Sequence, residues 1–510
     1  MQRRDLLRAG LAVPFVALSA RQLGAPVLAA VDDGAPFDAA LVRRMARDLA
    51  GRAYQAPRAK LPPSLVDIDY DQYRTIRFDP QRSLWRGTDT KFEMQLFHRG
   101  FLFANRVDMF EVLDGRQRRI AYRQDLFDFG QVKLPREEDV GFAGFRVHGP
   151  INRPDYFDEI FVFLGASYFR AVARHQIYGL SARGLAIKTG DPPGEEFPAF
   201  VSFWVERPAS RASSIVVHGL LDSASAAAAF RFTIRPGETT IFDVEMALYP
   251  RVDVTQAGIA PLTSMFHFAA NDRARIDDFR PAVHDSDGLA MLTGRGEQIW
   301  RPLINPSELQ LGAFADVNPR GFGLMQRKRD FHSYKDLEAR YERRPSAWVE
   351  PMGDWGEGAV HLVEIPTNRE INDNIVAFWR PRQPLRAKGE YLFNYRLHWC
   401  ATAPIASDLA PIADTRSGAS LHQPQKTRLF VIEIGGAKPG SLAADAPLRA
   451  EVTADQGKVQ NIVAQPNPET KGWRITFELV PGNARVVELR AQLLGGEGPV
   501  SEVWLYRWTP

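Results

Sequence analysis

Residues 265–288 form the segment whose composition most clearly suggests chemistry. They contain arginines, two histidines, three phenylalanines and five aspartates, which are Asp272, Asp277, Asp278, Asp285 and Asp287. A solvated loop would not need the phenylalanines, and a buried strand would not tolerate so many charges unless they were paired. The mixture indicates carboxylates held by arginines at the wall of a polar cleft, where their pKa values can be set apart. Glycoside hydrolysis needs such a wall, because one carboxyl must be protonated while another is ionised.

The same segment does not have the pattern of a metal site. Residues 285–288 (DSDG) are similar to the start of a calcium loop, but the glycine stands fourth instead of sixth and Leu289 follows it. His267 and His284 are far apart, and no cysteine or second histidine stands at ligand spacing from either one. We therefore expect no metal and no other cofactor.

The length and charge of the chain limit its class. A chain of 510 residues with 45% hydrophobic residues predicts two domains with full cores. The formal net charge of +3 comes from the first 30 residues, which contain four arginines and one aspartate, so that the remainder is neutral. A neutral body lacks the basic surface of a nucleic-acid-binding protein and suits a neutral polymer as substrate.

The first 30 residues have the pattern of a signal peptide for export to the periplasm. Basic residues precede an apolar run at residues 10–20, and residues 27–29 (VLA) offer a cleavage site. The paired Arg3 and Arg4 favour the twin-arginine route. The run of about 11 apolar residues is too short to cross a hydrocarbon core of ~30 Å.

Few segments have a helical pattern. Residues 37–54 place apolar side chains on one face, with Asp38 as a candidate N-cap. A shorter helix is expected at residues 333–343, where Ser333 and Asp336 have capping-box spacing.

Most of the remaining chain alternates apolar and polar residues, which predicts an all-β fold of antiparallel sheets. Residues 230–235 and 242–248 alternate on either side of a Pro-Gly turn, and residues 391–399 behave likewise. Residues 401–424 contain few large apolar side chains and are predicted to be a linker. About six short strands follow from residue 425, which is typical of an immunoglobulin-like sandwich.

Seven segments carry a resemblance to a known family. They are residues 141–152 (GFAGFRVHGPIN), 163–187, 265–289, 318–331 (NPRGFGLMQRKRDF), 344–351 (RPSAWVEP), 364–379 (EIPTNREINDNIVAFW) and 501–508 (SEVWLYRW). These segments resemble the periplasmic glucan biosynthesis proteins OpgG and OpgD, also called MdoG and MdoD. The similarity runs in order over nearly the whole chain after residue 30, and the twin-arginine pattern favours the OpgD branch.

The resemblance implies a large, galactose-mutarotase-like β-sandwich at residues 31–400 and an immunoglobulin-like sandwich at residues 425–510. It implies a role in making osmoregulated periplasmic glucans, whose backbone is β-1,2-linked glucose. It further implies an endo-β-1,2-glucanase activity that inverts the anomeric carbon. By motif, it places the general acid at Asp373 in Asp-Asn-Ile-Val and the general base at Asp285 in His-Asp-Ser-Asp.

The neighbours of both aspartates fit these roles. Apolar residues around Asp373 would raise its pKa. His284 and Ser286 would stabilise an ionised Asp285 or relay a proton to it. By residue type alone, however, Asp373 is a turn residue before a strand. The competing candidates for the base are Asp277, Asp278 and Asp287.

Sugar rings present apolar C–H faces, so aromatic rings with polar side chains at their edges are candidates for binding glucan. The predicted substrate-binding residues are Trp300, Tyr341, Arg344, Trp355 and Asp287. Trp355 is expected to be exposed because glycines and acids surround it, although most tryptophans of a β protein lie in its core.

The leading hypothesis is therefore an inverting glycoside hydrolase that cleaves β-1,2-glucan internally. One alternative is a non-hydrolytic scaffold that binds nascent glucan and presents it to an inner-membrane glucan glucosyltransferase. Another alternative is a transferase that branches or lengthens the backbone.

Overall fold

A computed structural model describes residues 33–57, 61–134, 139–274, 276–435 and 442–510. The predicted signal peptide at residues 1–30 lies outside the described residues. The described chain is mostly β-strand, which confirms the predicted all-β sandwich fold. No helix in these ranges is long and apolar enough to cross a membrane.

The α-helices of the described residues precede the main sheets. They are α1 (Ala39–Ala50), α2 (Pro63–Val66) and α3 (Tyr70–Tyr73). The first predicted helix is confirmed in α1, where the Asp38 side chain accepts a hydrogen bond from the backbone N of Leu41 at 2.7 Å.

The helix predicted at residues 333–343 is wrong. The chain there contains two 3₁₀ turns, Phe331–Ser333 and Tyr341–Arg343. The physical reason is competition from local side chains: Asp336 accepts from the backbone N of Glu338 at 2.9 Å and of Ala339 at 2.7 Å. Such contacts favour turns over a helical hydrogen-bond ladder.

The strands are numbered in chain order. Those before residue 255 are β1 (Arg77–Phe78), β2 (Glu93–His98), β3 (Asp108–Leu113), β4 (Arg116–Arg119), β5 (Phe127–Asp128), β6 (Phe142–Arg153), β7 (Tyr156–Leu164), β8 (Tyr168–Ala171), β9 (Ser181–Arg183), β10 (Ala186–Ile187), β11 (Ala199–Glu206), β12 (Ile215–Asp222), β13 (Ala226–Arg235) and β14 (Thr240–Pro250). Those from residue 257 to residue 400 are β15 (Ala257–Ser264), β16 (Phe266–Phe268), β17 (Val283–His284), β18 (Gly288–Leu292), β19 (Gln298–Pro302), β20 (Gln310–Val317), β21 (Gly321–Met325), β22 (Ser346–Met352), β23 (Glu357–Glu364), β24 (Ile375–Pro381) and β25 (Tyr391–Cys400). The remaining strands are β26 (Ile412–Ala419), β27 (Arg428–Ile434), β28 (Arg449–Ala454), β29 (Lys458–Asn467), β30 (Gly472–Val480), β31 (Val487–Gly495), β32 (Gly498–Pro499) and β33 (Val503–Trp508).

Two large sheets pack face to face around the main core. The ten-stranded sheet has the order β2-β6-β7-β8-β9-β15-β24-β23-β20, with β10 paired to β15. The fifteen-stranded sheet has the order β28-β31-β33-β19-β18-β21-β22-β25-β14-β13-β12-β11-β3-β4, with β32 paired to β31. Phenylalanines fill the space between them: the ring of Phe163 lies 5.1 Å from that of Phe203 and 5.2 Å from that of Phe232.

The alternation predicted around residues 230–248 is confirmed in the β13–β14 hairpin. Phe232 pairs with Val244, which in turn pairs with Tyr395 of β25. All three side chains are buried, whereas the intervening residues of β13 are only partly buried. Period-two alternation therefore predicted both the strands and the face that packs against the core.

The C-terminal strands form a second sandwich that shares a sheet with the first. Its separate sheet has the order β26-β27-β30-β29, while β28, β31 and β33 belong to the fifteen-stranded sheet. The junction is a parallel pairing of β33 with β19, in which Trp504 lies opposite Trp300. The core between the two layers includes Phe430 and Phe477, whose rings are 5.2 Å apart.

One third of the segment predicted as a linker is a strand of this second sandwich. Residues 401–424 contain β26, which lies at the edge of its sheet. An edge strand there needs few large side chains, because only Ile412 and Thr415 of β26 are buried. Thr415 accepts a hydrogen bond from the indole N–H of Trp504 at 3.0 Å.

Candidate active site

Asp373 lies in the loop that leads into β24, and its neighbour Asn374 fixes that loop. The side-chain oxygen of Asn374 accepts from the backbone N of Phe266 at 2.8 Å. The side-chain nitrogen of Asn374 donates to the carbonyls of Phe266 and Ile365, both at 3.0 Å. A fully bonded, buried amide therefore connects the Asp373 loop to β16.

Asp285 follows β17 and is bonded to the residue next to Phe266. Its backbone N donates to the carbonyl of Met265 at 2.8 Å, and β17 pairs with β16 through His284 and Phe266. Because Asn374 and Asp285 are bonded to the consecutive residues 265 and 266, the two predicted catalytic segments meet at one point of the fold.

The carboxyl of Asp373 is largely buried beside an arginine. Its side chain is 11% exposed, and its Oδ2 lies 3.7 Å from Nη2 of Arg170 without a hydrogen-bond partner in the described part of the chain. Burial raises the pKa of Asp373 to about 6, and the charge of Asp285 raises it in the same direction, while Arg170 opposes the shift. A carboxyl with this pKa can donate a proton in mildly acidic to neutral solution.

The carboxyl of Asp285 is buried and forms an ion pair with Arg344. Burial raises the pKa of Asp285, and the Arg344 guanidinium is the largest opposing influence. A directly bonded cation stabilises a buried carboxylate in its ionised form. Asp285 and Asp373 therefore differ in their partners.

Two arginines of the ten-stranded sheet, which the sequence prediction missed, lie beside Asp373. Nε of Arg170 donates to Oγ of Ser181 at 2.7 Å, and the Arg183 guanidinium lies 4.6 Å from the ring centre of Tyr168. Both arginines lower the pKa of Asp373, and burial raises the pKa of Tyr168 to about 12. The detectable signal was Tyr168 and Arg170 at alternate positions, which places both on one face of a strand.

Arg280 connects three loops around the site. It donates from Nη2 to Asp278 at 2.7 Å and to Glu370 at 2.6 Å, and from Nη1 to Asp336 at 2.9 Å. Glu370 lies three residues before Asp373. The Asp373 loop is therefore bonded to residues 265–288 twice, through the Glu370–Arg280 ion pair and through Asn374. Asp278, a competing candidate for the base, is thus one of three carboxylates on a single arginine.

His284 is buried and neutral. Its Nδ1 contacts the side-chain oxygen of Gln326 at 2.8 Å, and burial lowers its pKa to about 3. The amide nitrogen of Gln326 donates to the carbonyls of His284 and Tyr341, at 2.9 Å and 3.2 Å. These donations fix the amide orientation, so the proton of the imidazole lies on Nδ1. His284 therefore orients the segment before Asp285 through Gln326.

Comparison with known proteins identifies the family. A family model described as "Periplasmic glucan biosynthesis protein, MdoG" matches residues 37–508. The chain belongs to this family. Three relatives that are similar to this chain in sequence are each named "Glucans biosynthesis protein G". That of Rhodopseudomonas palustris (strain BisA53) is 56% identical over 510 residues, and that of Bradyrhizobium diazoefficiens is 55% identical over 511 residues, each covering 100% of both chains. That of Vibrio cholerae (strain ATCC 39541) is 52% identical over 479 residues, which are 93% of this chain and 87% of the relative.

Membership in the MdoG family assigns the chain to periplasmic glucan biosynthesis. These relatives all carry the G name, whereas the twin-arginine pattern favoured the D branch. Two of them align with this chain over its full length, residues 1–30 included. The sequence of residues 1–30 therefore does not separate this MdoG family member from G proteins.

Of the predicted substrate-binding residues, Tyr341 and Arg344 lie beside Asp285, whereas Asp287 bonds to a different segment. Tyr341 places its ring 4.3 Å from the Arg344 guanidinium, and Arg344 is the partner of Asp285. Asp287 contacts a different segment: its two carboxylate oxygens accept from the backbone N of Arg327 at 3.3 Å and 3.2 Å.

The two predicted tryptophans are buried in the structure. The expectation that Trp355 is exposed is wrong: the residue is 5% exposed, and its indole N–H donates to the carbonyl of Asn394 at 3.2 Å. Gly353 and Gly356, both at positive φ, turn the chain so that the ring faces inward. Trp300 is 4% exposed and lies under the Arg327 guanidinium at 3.7 Å.

Proposed function

We propose that this MdoG family member is an inverting endo-β-1,2-glucanase that trims or remodels the glucan backbone. Asp373 is the general acid and Asp285 is the general base, which acts through water. The observation that supports the proposal best is that two neighbouring buried carboxyls have different partners. Asp373 has a raised pKa and lies 3.7 Å from Arg170, while Asp285 accepts a direct hydrogen bond from Arg344.

The reaction follows from those two states. Protonated Asp373 donates its proton to the glycosidic oxygen as the bond to the anomeric carbon breaks. A water molecule attacks the opposite face of that carbon, and ionised Asp285 accepts the proton that the water loses, directly or through a relay. The anomeric configuration inverts, because a single displacement occurs.

The residues around the acids supply groups that suit a neutral sugar. Arg170, Arg183 and Tyr168 surround Asp373, and Tyr341 lies beside Asp285 through Arg344. Guanidinium and phenol groups bind hydroxyl oxygens, and tyrosine rings also pack on C–H faces. We propose that these residues bind the glucan, and that Trp300 and Trp355 stabilise the fold.

The decisive experiment incubates the purified chain with linear β-1,2-glucan and measures shorter oligosaccharides. Wild type should shorten the glucan, and Asp373→Asn should reduce the rate by about 10²–10⁴-fold. The matched control is Asp222→Asn, because Asp222 is also a buried carboxyl with a raised pKa and lies 2.7 Å from an arginine, Arg251. The control should keep wild-type activity.

The other functions give different outcomes in the same assay. Binding of glucan without cleavage by wild type would refute the hydrolase and favour a scaffold that serves a membrane glucosyltransferase. Longer or branched products would favour a transferase.

We propose export by the twin-arginine route, on the sequence pattern of the leader. Replacing Arg3 and Arg4 together by lysine should prevent the chain from reaching the periplasm. Fractionation of cells measures this directly, and periplasmic recovery of the double variant would rule out the route.

A further inference from the structure

Two carboxylates of the C-terminal sandwich bind the segment that follows β21. Glu502 accepts from Nη1 and Nη2 of Arg327, at 2.7 Å and 2.8 Å. Asp414 lies 2.7 Å from Nζ of Lys328. The four side chains are between 10% and 21% exposed, so water screens these pairs only weakly. The C-terminal sandwich thus fixes residues 327 and 328 by charge.

The segment fixed in this way contacts the residues on both sides of Asp285. Gln326 bonds to the ring and the carbonyl of His284, while the backbone N of Arg327 donates to the Asp287 carboxylate. Residues 326 and 327 are therefore bonded to His284, which precedes Asp285, and to Asp287, which follows it by two positions. A displacement of Arg327 would be transmitted to both flanks of the base.

A second group of contacts reaches the strand that pairs with β17. Oγ of Ser417 and the hydroxyl of Tyr506 both donate to the carbonyl of Asn271, at 2.8 Å and 3.0 Å. The backbone N of Ser417 donates to the carbonyl of Ala270 at 3.2 Å. These carbonyls lie just beyond β16, which carries Phe266, the residue bonded by Asn374.

We propose that the C-terminal sandwich positions Asp285, with Arg327–Glu502 and Lys328–Asp414 as the positioning pairs. Two independent sets of contacts end on the β16–β17 unit, one through residues 326–328 and one through residues 270–271. The sandwich is thereby a part of the active-site frame. The proposal rests on the proposed function in one respect: Asp285 is taken as the base.

The test compares three variants by hydrogen exchange and by kinetics. Glu502→Gln and Arg327→Met each break the positioning pair, and the matched control Glu297→Gln breaks the exposed 2.9 Å pair with Arg490, which crosses the same boundary at its rim. We expect the first two to speed exchange in residues 264–288 relative to the β13–β14 hairpin. We expect kcat to fall about tenfold with KM nearly unchanged, because a base displaced by ~1 Å loses up to ~10²-fold in rate.

The control should change neither quantity, and the double variant Glu502→Gln with Arg327→Met should resemble the more impaired single variant. Exchange in residues 264–288 equal to that of the control would refute the positioning role. If wild type does not cleave glucan, the proposed function fails while the exchange comparison still decides this inference. Should Arg327→Met unfold, Arg327→Lys keeps the charge but loses the two-point contact. Unchanged local exchange in that variant would refute the proposal.

Discussion

The two halves of the site differ in how the fold supports them. Asp285 lies in a fully buried stretch between two sheets, with Arg344 bonded to it and with Gln326 and Ser264 contacting its neighbours. Asp373 ends a loop at residues 365–373 that is otherwise exposed or half-buried, and its Oδ2 lies 3.7 Å from Nη2 of Arg170 without a hydrogen-bond partner among the described residues. Asp285 is thus built into the frame, while Asp373 is presented by a loop anchored at Asn374.

The largest contrast is expected between Asp285→Asn and Asp373→Asn. Both should lose about 10²–10⁴-fold in activity. Only Asp285→Asn should destabilise the fold, by about 3–5 kcal/mol, because Asp285 raises the pKa of the buried Arg344, which would keep its charge without a partner. Glucan cleavage and denaturant unfolding measure the two effects. Equal stabilities of the two variants would remove the distinction between frame and loop.

Asp373→Asn should, in contrast, stabilise the protein in a pH-dependent way. The pKa of Asp373 rises from 3.8 to about 6 on folding, so the folded state binds this proton more tightly and loses stability as pH rises between those values. The asparagine removes that loss. The gain should be about 1–3 kcal/mol above pH 6 and should vanish near pH 4. Thermal unfolding at pH 4 and pH 8 tests this, and a gain independent of pH would contradict it.

Arg280→Gln should loosen the acid loop and leave the base side in place. Without Arg280, Glu370 loses its 2.6 Å partner, and we expect about a tenfold loss of kcat/KM from misplacement of the loop. The control is Arg382→Gln, which breaks an exposed 2.6 Å pair with Glu357 just beyond the other end of β24. Equal activity of both variants would show that Asn374 alone orders the loop.

The smallest expected effect is a shift of the pH profile in Arg170→Gln. Activity should fall above about pH 6 in wild type as Asp373 loses its proton. Arg170 lowers the pKa of both Asp373 and Asp285, so its removal should move both limbs of the profile to higher pH, by about one unit. A profile that moves to lower pH would show that Arg170 does not act on these carboxyls.

The contrast also explains what the sequence could predict. Strands such as β13 and β25 follow from alternation, because burial on one face imposes period two. Composition marked residues 265–288, since a segment of acids, arginines and phenylalanines is unusual, but it was the resemblance to a family motif that singled out Asp285 among the five aspartates. Asp373 carried no such signal, because a lone aspartate before a strand is also an ordinary turn residue. Only its resemblance to a family motif marked it.

The residues that the sequence prediction missed or misplaced depend on contacts that a local sequence pattern does not reveal. Arg170 and Arg183 lie on adjacent strands, so that their proximity to Asp373 depends on sheet pairing. Trp355 has polar neighbours in sequence, yet two glycines turn its ring into the core. The helix expected near residue 336 is replaced by turns, because a side chain bonds to the backbone there.

The parallel pairing of β19 with β33 has a consequence for how the protein folds. Trp300 and Trp504 are distant in sequence, and contacts of that kind form late and slowly, because a long chain must first be closed into a loop. Until β33 arrives, one edge of β19 is unpaired in the middle of a large sheet, where other chains could add to it. Refolding should therefore be slow and sensitive to protein concentration, with aggregation competing at this edge.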